Sequence, residues 1–302
     1  MTLPNRLPDS VPEERLAQRL HQLPLLPAVV TEILSLDSRA DDYLDRLVRL
    51  ARRDPPFAVR VLQCANSAYS APLTPIVSLE KAAMRLGTEQ CAGFVLALAV
   101  VKVFVPKSDA QRFLWIHSLQ TALFATRFCQ DVRSLRRDCD QAYVCGLLHD
   151  IGRFVQFEGA PADISRIDDM HWSAPEELVE VERSALGYDH TLLGWHACKK
   201  WSLPDSVGEV ILHHHDQLPP PSLPGPIDLV RVVQWADMLS MALLRNPKFA
   251  SDSEEQLIHH LATEYADIGP GRSPDEKAQW YRWVPGLLAE SMQLARQLNL
   301  VR

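Results

Sequence analysis

Glycine is scarce in this chain, 12 residues in 302, and no Asn-Gly pair marks a tight hairpin. That leaves little of the turn chemistry an all-β protein needs. There is no Cys-x-x-Cys pair among the six cysteines, Cys64, Cys91, Cys129, Cys139, Cys145 and Cys198. Zinc-ribbon and thiol-redox motifs are thereby excluded. Most of these thiols fall in apolar stretches, where a free cysteine behaves as a small hydrophobe, so reduced thiols and a cytoplasmic location are expected. No run is long enough to cross a bilayer: the most apolar stretch, Ala92–Val101, is stopped by Lys102, well short of roughly 20 residues. The N-terminus has no basic start followed by an apolar run, so neither a signal peptide nor membrane association is expected. Positive charge is in deficit as well, with a net charge of −7. Such a chain repels a phosphate backbone, which argues against nucleic acid as a partner. The cluster Arg133, Arg136 and Arg137 reads as a solvated loop.

What is present is helical periodicity almost everywhere, in a chain that is 47% hydrophobic. Leu44, Leu47, Val48 and Ala51 form one stripe, and Ala58, Val61, Leu62 and Ala65 form the next. Between them, Asp54-Pro55 reads as an N-cap with proline in the first turn. Leu23-Pro24-Leu25-Leu26-Pro27 opens a helix, a turn falls at Pro72–Pro75, Ser78 caps a helix and Gly87 ends it. Further helices are expected at 89–104, 110–130, 139–150, 188–201, 205–215, 226–245, 253–265 and 275–298. A Pro-rich loop spans 217–226, and Pro106-Lys107-Ser108-Asp109 marks a subdomain boundary. The fold class that follows is all-α, in two helical parts.

Several polar residues land on apolar helical faces. His117 lies in the stripe Leu114, His117, Thr121, Phe124, Phe128, where a hydrogen-bonded core histidine reads as well as a ligand. His149-Asp150 ends a helix whose face carries Ala142, Cys145 and Gly146. Those small residues leave room for an ion or for a close helix, and Ile151-Gly152 then turns the chain. His190 follows the N-cap Asp189, with Gly194 one turn on. His213, His214 and His215 close a helix whose inner stripe reaches His214. A cationic run there also suits the helix dipole. Asp237 is the most telling, set in the stripe Val230, Val233, Asp237, Met241, Leu244. A carboxylate on an apolar face is costly unless it is paired or bound to metal. Imidazole plus carboxylate suits Fe, Mn, Zn or Mg, one or two ions, better than a soft metal.

The order His117, His149-Asp150, Asp237 resembles the HD superfamily of metal-dependent phosphohydrolases, whose motif here reads Gly146-Leu147-Leu148-His149-Asp150-Ile151-Gly152-Arg153. His190 and the pair His214-His215 resemble the additional ligands of the subset that includes cyclic-di-GMP phosphodiesterases. That subset continues into Gly-Tyr-Pro, whereas this chain reads Asp216-Gln217-Leu218-Pro219. It also usually has Lys where Arg153 stands. The first half is similar to the HDOD domain, the HD-related output domain. The similarity is carried by Leu23-Pro24-Leu25-Leu26-Pro27-Ala28-Val29, Asp54-Pro55, Cys64-Ala65-Asn66-Ser67-Ala68-Tyr69, Pro75-Ile76-Val77-Ser78-Leu79 and Leu86-Gly87. Trp115-Ile116-His117-Ser118 and Trp201-Ser202-Leu203-Pro204 continue it, so that it covers about 18–216.

The resemblance implies a flexible lead-in at 1–17, an N-terminal HDOD part at 18–108, an HD-like helical part at 109–245 and a helical extension at 246–302. It further implies a bacterial signal-transduction or regulatory protein with metal held by His117, His149, Asp150, His190, His214, His215 and Asp237. The partner would be a signalling protein or a small nucleotide. A phosphohydrolase is the alternative, with Asp150 and Arg153 at the reacting group. Trp280 and Trp283 are expected to pack the C-terminus onto the body. His259 and His260 are read as surface residues.

Overall fold

The computed structural model describes residues 13–36, 40–53, 55–66, 74–131, 139–169, 175–216, 226–265, 267–269 and 274–301. The lead-in as far as residue 12, the Asp54 cap, Ser67-Ala68-Tyr69, the turn residues Pro72 and Leu73, the arginine cluster and the Pro-rich loop as far as residue 225 lie outside the described residues. Among those described, the structure is helical with no strand.

The first part comprises α1 (Glu13–His21), α2 (Ala28–Leu34), α3 (Tyr43–Arg53), α4 (Pro55–Ala65), α5 (Leu79–Leu86) and α6 (Thr88–Val103). The stripe on α3 points inward as expected, with Leu47, Val48 and Ala51 buried. The Ser78 hydroxyl accepts from the Lys81 amide at the start of α5. Gly87 follows at φ 85°, a backbone conformation that an L side chain resists. The apolar stretch in α6 is a core helix, buried continuously from Cys91 to Val101. No single helix among the described residues is long and apolar enough to cross a membrane.

The second part holds α7 (Asp109–Asp131), α8 (Cys139–Leu148), α9 (Ile151–Gly159), α10 (Pro161–Asp169), α11 (Pro175–Leu186), α12 (His190–Lys200), α13 (Asp205–His213) and α14 (Pro226–Arg245). The long α7 lies against both α8 and α14, and α12 packs on α9 and α13. Three of these helices, α9 to α11, occupy a stretch that periodicity alone left unassigned. Each is short, and prolines open α10 and α11, so no long stripe announces them. Gly152 does not turn the chain. It sits inside α9, and Asp150 precedes that helix as its N-cap residue.

The chain ends with α15 (Glu254–Glu264), α16 (Pro274–Trp280) and α17 (Val284–Gln297). The single helix expected at 275–298 is split by a 3-10 turn at Tyr281–Trp283, which places Pro285 in the first turn of α17. There its missing N–H and fixed φ do no harm. Trp280 and Trp283 pack around Phe128 of α7, with ring centroids 4.3 and 5.6 Å away. His259 is exposed, whereas His260 is partly buried, with its Nδ1 2.7 Å from Asp252 Oδ2.

Candidate metal centre

Three glycines bring the polar residues together. A Cβ on Gly146 would lie 2.7 Å from Thr121 O and 2.8 Å from Ala122 Cα. The small residue before His149 therefore makes room for a close helix: α8 meets the backbone of α7, one turn from His117. A Cβ on Gly152 would lie 1.9 Å from His190 O and 3.0 Å from Gly194 N. Here α9 and α12 touch backbone to backbone, which sets His190 beside Asp150. The Asp189 carboxylate caps α12 by accepting from the Leu192 amide, and this fixes where His190 starts.

All seven sequence-derived residues converge at one buried point. Each is less than a tenth exposed. His117 comes from α7, His149 and Asp150 from the α8–α9 junction, His190 from α12, His214 and His215 from the end of α13, and Asp237 from α14. Asp150 lies between two groups. Its Oδ2 is 3.6 Å from His149 Nε2 and 3.8 Å from His117 Nε2. Its Oδ1 is 3.3 Å from His190 Nε2 and 3.8 Å from His214 Nε2. Asp237 Oδ1 joins the first group, 3.1 Å from His117 Nε2, while its Oδ2 is 3.7 Å from His215 Nδ1. Ligand atoms of His117, His149 and Asp150, and separately of Asp150, His190, His214 and His215, lie within 4.8 Å of one another.

The outer nitrogens decide which way the rings face. His149 Nδ1 donates to Gly146 O at 2.8 Å, and His214 Nδ1 donates to Ile211 O at 2.7 Å. His190 Nδ1 donates to Glu182 Oε2 at 2.6 Å. Ser240 Oγ gives its proton to Gln120 Oε1 and so accepts from His117 Nδ1 at 2.9 Å. With each Nδ1 engaged on the outer side, each Nε2 points inward, the arrangement that orients metal-binding imidazoles.

The inner atoms are left wanting a cation. His190 Nε2 and His214 Nε2 are buried without a hydrogen-bond partner. His117 Nε2 and His149 Nε2 face each other at 3.1 Å, the spacing of two ligands on one ion at roughly 2.0–2.1 Å each. Burial is the chief effect on His149 and pushes its pKa down to about 4, so a shared proton is a poor substitute there. Burial and the neighbouring His214 and His190 hold His215 well below its ordinary value. Burial disfavours the charge on Asp150, but His149, His214, His190 and His117 outweigh it and hold the carboxyl well below the usual range. Asp237 is likewise penalised by burial and lowered on balance by His117 and His149. His190 goes the other way: Glu182 outweighs burial and raises it. Two carboxylates and five imidazoles thus turn oxygen and nitrogen ligand atoms to one place. These residues fit divalent metal, in two adjacent positions sharing Asp150.

His213 stays outside the group, with Nδ1 2.6 Å from Asp216 Oδ2. Arg153 is buried nearby, its Nε 4.0 Å from Glu182 Oε1. Sequence reasoning missed Glu182, Ser240 and Gln120. Glu182 had a readable signal, because it interrupts the buried stripe Leu178, Glu182, Leu186 on α11 as Asp237 interrupts that on α14. A cavity of about 460 Å³ opens beside the group and reaches His117, Asp150, Arg153, His215 and Asp237.

Comparison with known proteins agrees with this architecture. An HDOD domain protein of unknown function from Geobacter sulfurreducens aligns over 93% of this chain and 98% of its own, with 24% identity and a TM-score of 0.67. A candidate phosphohydrolase from Shewanella amazonensis SB2B aligns over 94% and 98%, with 22% identity and a TM-score of 0.68. A candidate signal transduction protein from Marinobacter aquaeolei VT8 aligns over 95% and 63%, with 18% identity and a TM-score of 0.61. At such identities the likeness is one of fold. An uncharacterised protein of Treponema pallidum (strain Nichols) is 24% identical over 225 residues, 74% of this chain, and the chain spans 43% of that relative's length. The HDOD domain pattern itself matches residues 23–217, nearly two thirds of the sequence, and the chain belongs to the HDOD domain family.

Proposed function

We propose that the chain is a bacterial, cytoplasmic regulatory module of signal transduction. It holds divalent metal between its two His/Asp groups and responds to a small ligand taken up beside them, or to a signalling partner. The observation that carries the reading is the alignment of the imidazoles. Four rings are held through Nδ1 so that Nε2 faces Asp150, and two of those inner nitrogens have no partner. Buried polar atoms left unsatisfied are costly, and a cation relieves that cost.

Metal bound there supplies Lewis acidity. The chain's own residues do the rest. Asp150 gives one oxygen to each group, and Glu182 and Ser240 orient the rings. Arg153 brings a guanidinium suited to a phosphate or carboxylate. One specific observation favours a second reading, a metal-dependent phosphohydrolase. The cavity reaches Asp150, Asp237 and Arg153 instead of stopping short of them, so the His/Asp groups are open to a ligand. The relatives' names, phosphohydrolase and signal transduction protein, run along both readings.

The experiment is elemental analysis of the purified chain beside a His149→Ala, Asp150→Ala variant. One or two equivalents of Fe, Mn, Zn or Mg in the wild type, absent from the variant, support the metal reading. Turnover of phosphate esters by the loaded protein then selects the hydrolase, and its absence with retained ligand binding selects the regulator. A chain that takes up none of these ions after reconstitution ends both.

A further inference from the structure

The cavity has two unlike ends. At its floor lie His117, Asp150, Arg153, His215 and Asp237, all buried. Its walls are Phe113, Leu114, Phe157, Leu178 and Met241. None of the five side chains offers a hydrogen-bond donor, and their one acceptor is the weak thioether of Met241. The mouth is marked by exposed Asp109 and Arg245. The Arg153 guanidinium joins the two ends, its centre 6.0 Å from the centroid of the Phe157 ring. A volume of about 460 Å³ falls in the range of roughly 300–1,000 Å³ typical of a site for one small organic ligand.

We infer that this cavity takes a phosphomonoester with a single apolar organic body, the phosphate at the floor and the body between Phe113 and Phe157. The inference rests on the metal reading above and names the ligand class for that site. Without metal, two carboxylates against one guanidinium make the floor anionic. With two divalent ions the balance turns positive, even with the Glu182 carboxylate 4.0 Å from Arg153 counted, and calls for an anion. The two groups sharing Asp150 and the Arg153 fork give the floor three places that can meet an anion's oxygens. A tetrahedral phosphate offers three free oxygens to meet them, whereas a carboxylate offers two.

The walls select the body. A nucleobase carried into them gives up its hydrogen bonds to water and finds no donor and only a weak thioether acceptor in return, which is costly. An alkyl or aryl group gives up nothing and buries apolar surface. The cavity has one buried anion-holding end, and Asp109 lines the mouth along with Arg245, so a cyclic dinucleotide, with two phosphates and two bases, matches it poorly. This narrows the expectation of a small nucleotide to a different class of organic phosphate.

The test is calorimetric titration of the metal-loaded full chain with inorganic phosphate, ethyl phosphate, hexyl phosphate, hexanoate and adenosine monophosphate. One methylene in a fitted apolar pocket is worth about tenfold or more. Hexyl phosphate is therefore expected to bind at least about tenfold tighter than ethyl phosphate, adenosine monophosphate no tighter than ethyl phosphate, and hexanoate far more weakly than hexyl phosphate. Phe113→Ser, at a half-buried position, should bring hexyl phosphate down toward ethyl phosphate. Equal affinities for ethyl and hexyl phosphate overturn the apolar body. Tightest binding by adenosine monophosphate does the same, and hexanoate matching hexyl phosphate overturns the phosphate head. A loaded protein that binds none of the probes overturns the inference and leaves the metal reading standing, whereas failure to load metal sinks both.

Discussion

Helices α1–α6 and helices α7–α14 are packed from similar elements, yet their interiors differ in kind. In the first set Val30, Leu47, Val61, Ala82 and Leu96 fill the core, and among the described residues no polar or charged side chain is buried before Gln111. In the second, His117, His149, Asp150, Glu182, His190, His214 and Asp237 are buried together. Apolar burial is non-directional and tolerates substitution of like volume. A buried polar group must be matched atom by atom or it costs free energy. The first region is thus held by shape and area. The second gives up part of that gain to keep a set of ligands in register, which is expected where an element exists for chemistry and not for stability alone.

The sharpest way to break this contrast is through Asp150, whose two oxygens face the two groups. Asp150→Ala should empty both metal positions, taking the bound metal close to zero, while His190→Ala should empty one. Metal analysis after desalting distinguishes them, and a full equivalent retained by Asp150→Ala would mean the groups are independent. In the first region the opposite pattern is expected. Leu47→Ala removes a side chain that is 1% exposed and should cost about 2–5 kcal/mol by denaturant titration, with metal content unchanged.

Acid should separate the regions in the metal-free protein. His149 has a folded pKa of about 4, below its ordinary 6.5, because burial disfavours the charge. His215 is lowered too. A depressed group contributes stability that is complete above the unfolded value and is lost as pH falls toward the folded one. His149 costs about 1.4 kcal/mol per pH unit between pH 6.5 and 4, and His215 acts in the same direction. His190, raised by Glu182, works in the opposite sense, but its contribution is gained as pH falls toward 6.5 and is constant through this window. Hydrogen exchange over that window should show amides of α7, α12 and α13 losing protection before those of α6. Uniform loss across both regions would erase the distinction.

The same physical difference governs what could be read from residues alone. Apolar stripes repeat with the helical period, so α3, α5, α6, α7 and α14 were visible. Asp237 was visible because it broke its stripe. The seven converging residues were legible for that reason and through the HD-like order of their motifs. The helices α9–α11 were not, and in α9 and α11 the buried faces carry Arg153, Gln156 and Glu182, which break the apolar repeat. Nor was the part played by Gly152. A close approach between α9 and α12 depends on where His190 O comes to rest, 38 residues away in the chain, and no local pattern reports it. The outer hydrogen bonds were hidden likewise, because Ser240 and Glu182 act through rings contributed by other helices.

Glu182 gives the finest test of how strictly the polar interior is matched. Its side chain is fully buried, and one oxygen, Oε2, accepts from both the Nδ1 and the backbone amide of His190, at 2.6 and 2.7 Å. A carboxylate in that position holds the ring and strengthens the opposite nitrogen as a ligand. Glu182→Gln keeps the size and can still accept through its amide oxygen, but it removes the charge. The group formed by Asp150, His190, His214 and His215 should then bind metal about 10–100-fold more weakly, whereas the group of His117, His149 and Asp237 should hold its metal as before. Titration of the apo protein with Co²⁺, followed by its visible absorption, resolves the two steps. A weakened second step beside an unchanged first means that each ring is tuned by its own partner. Equal weakening of both would show that the charge of Glu182 acts on the whole centre, and that the matching is collective.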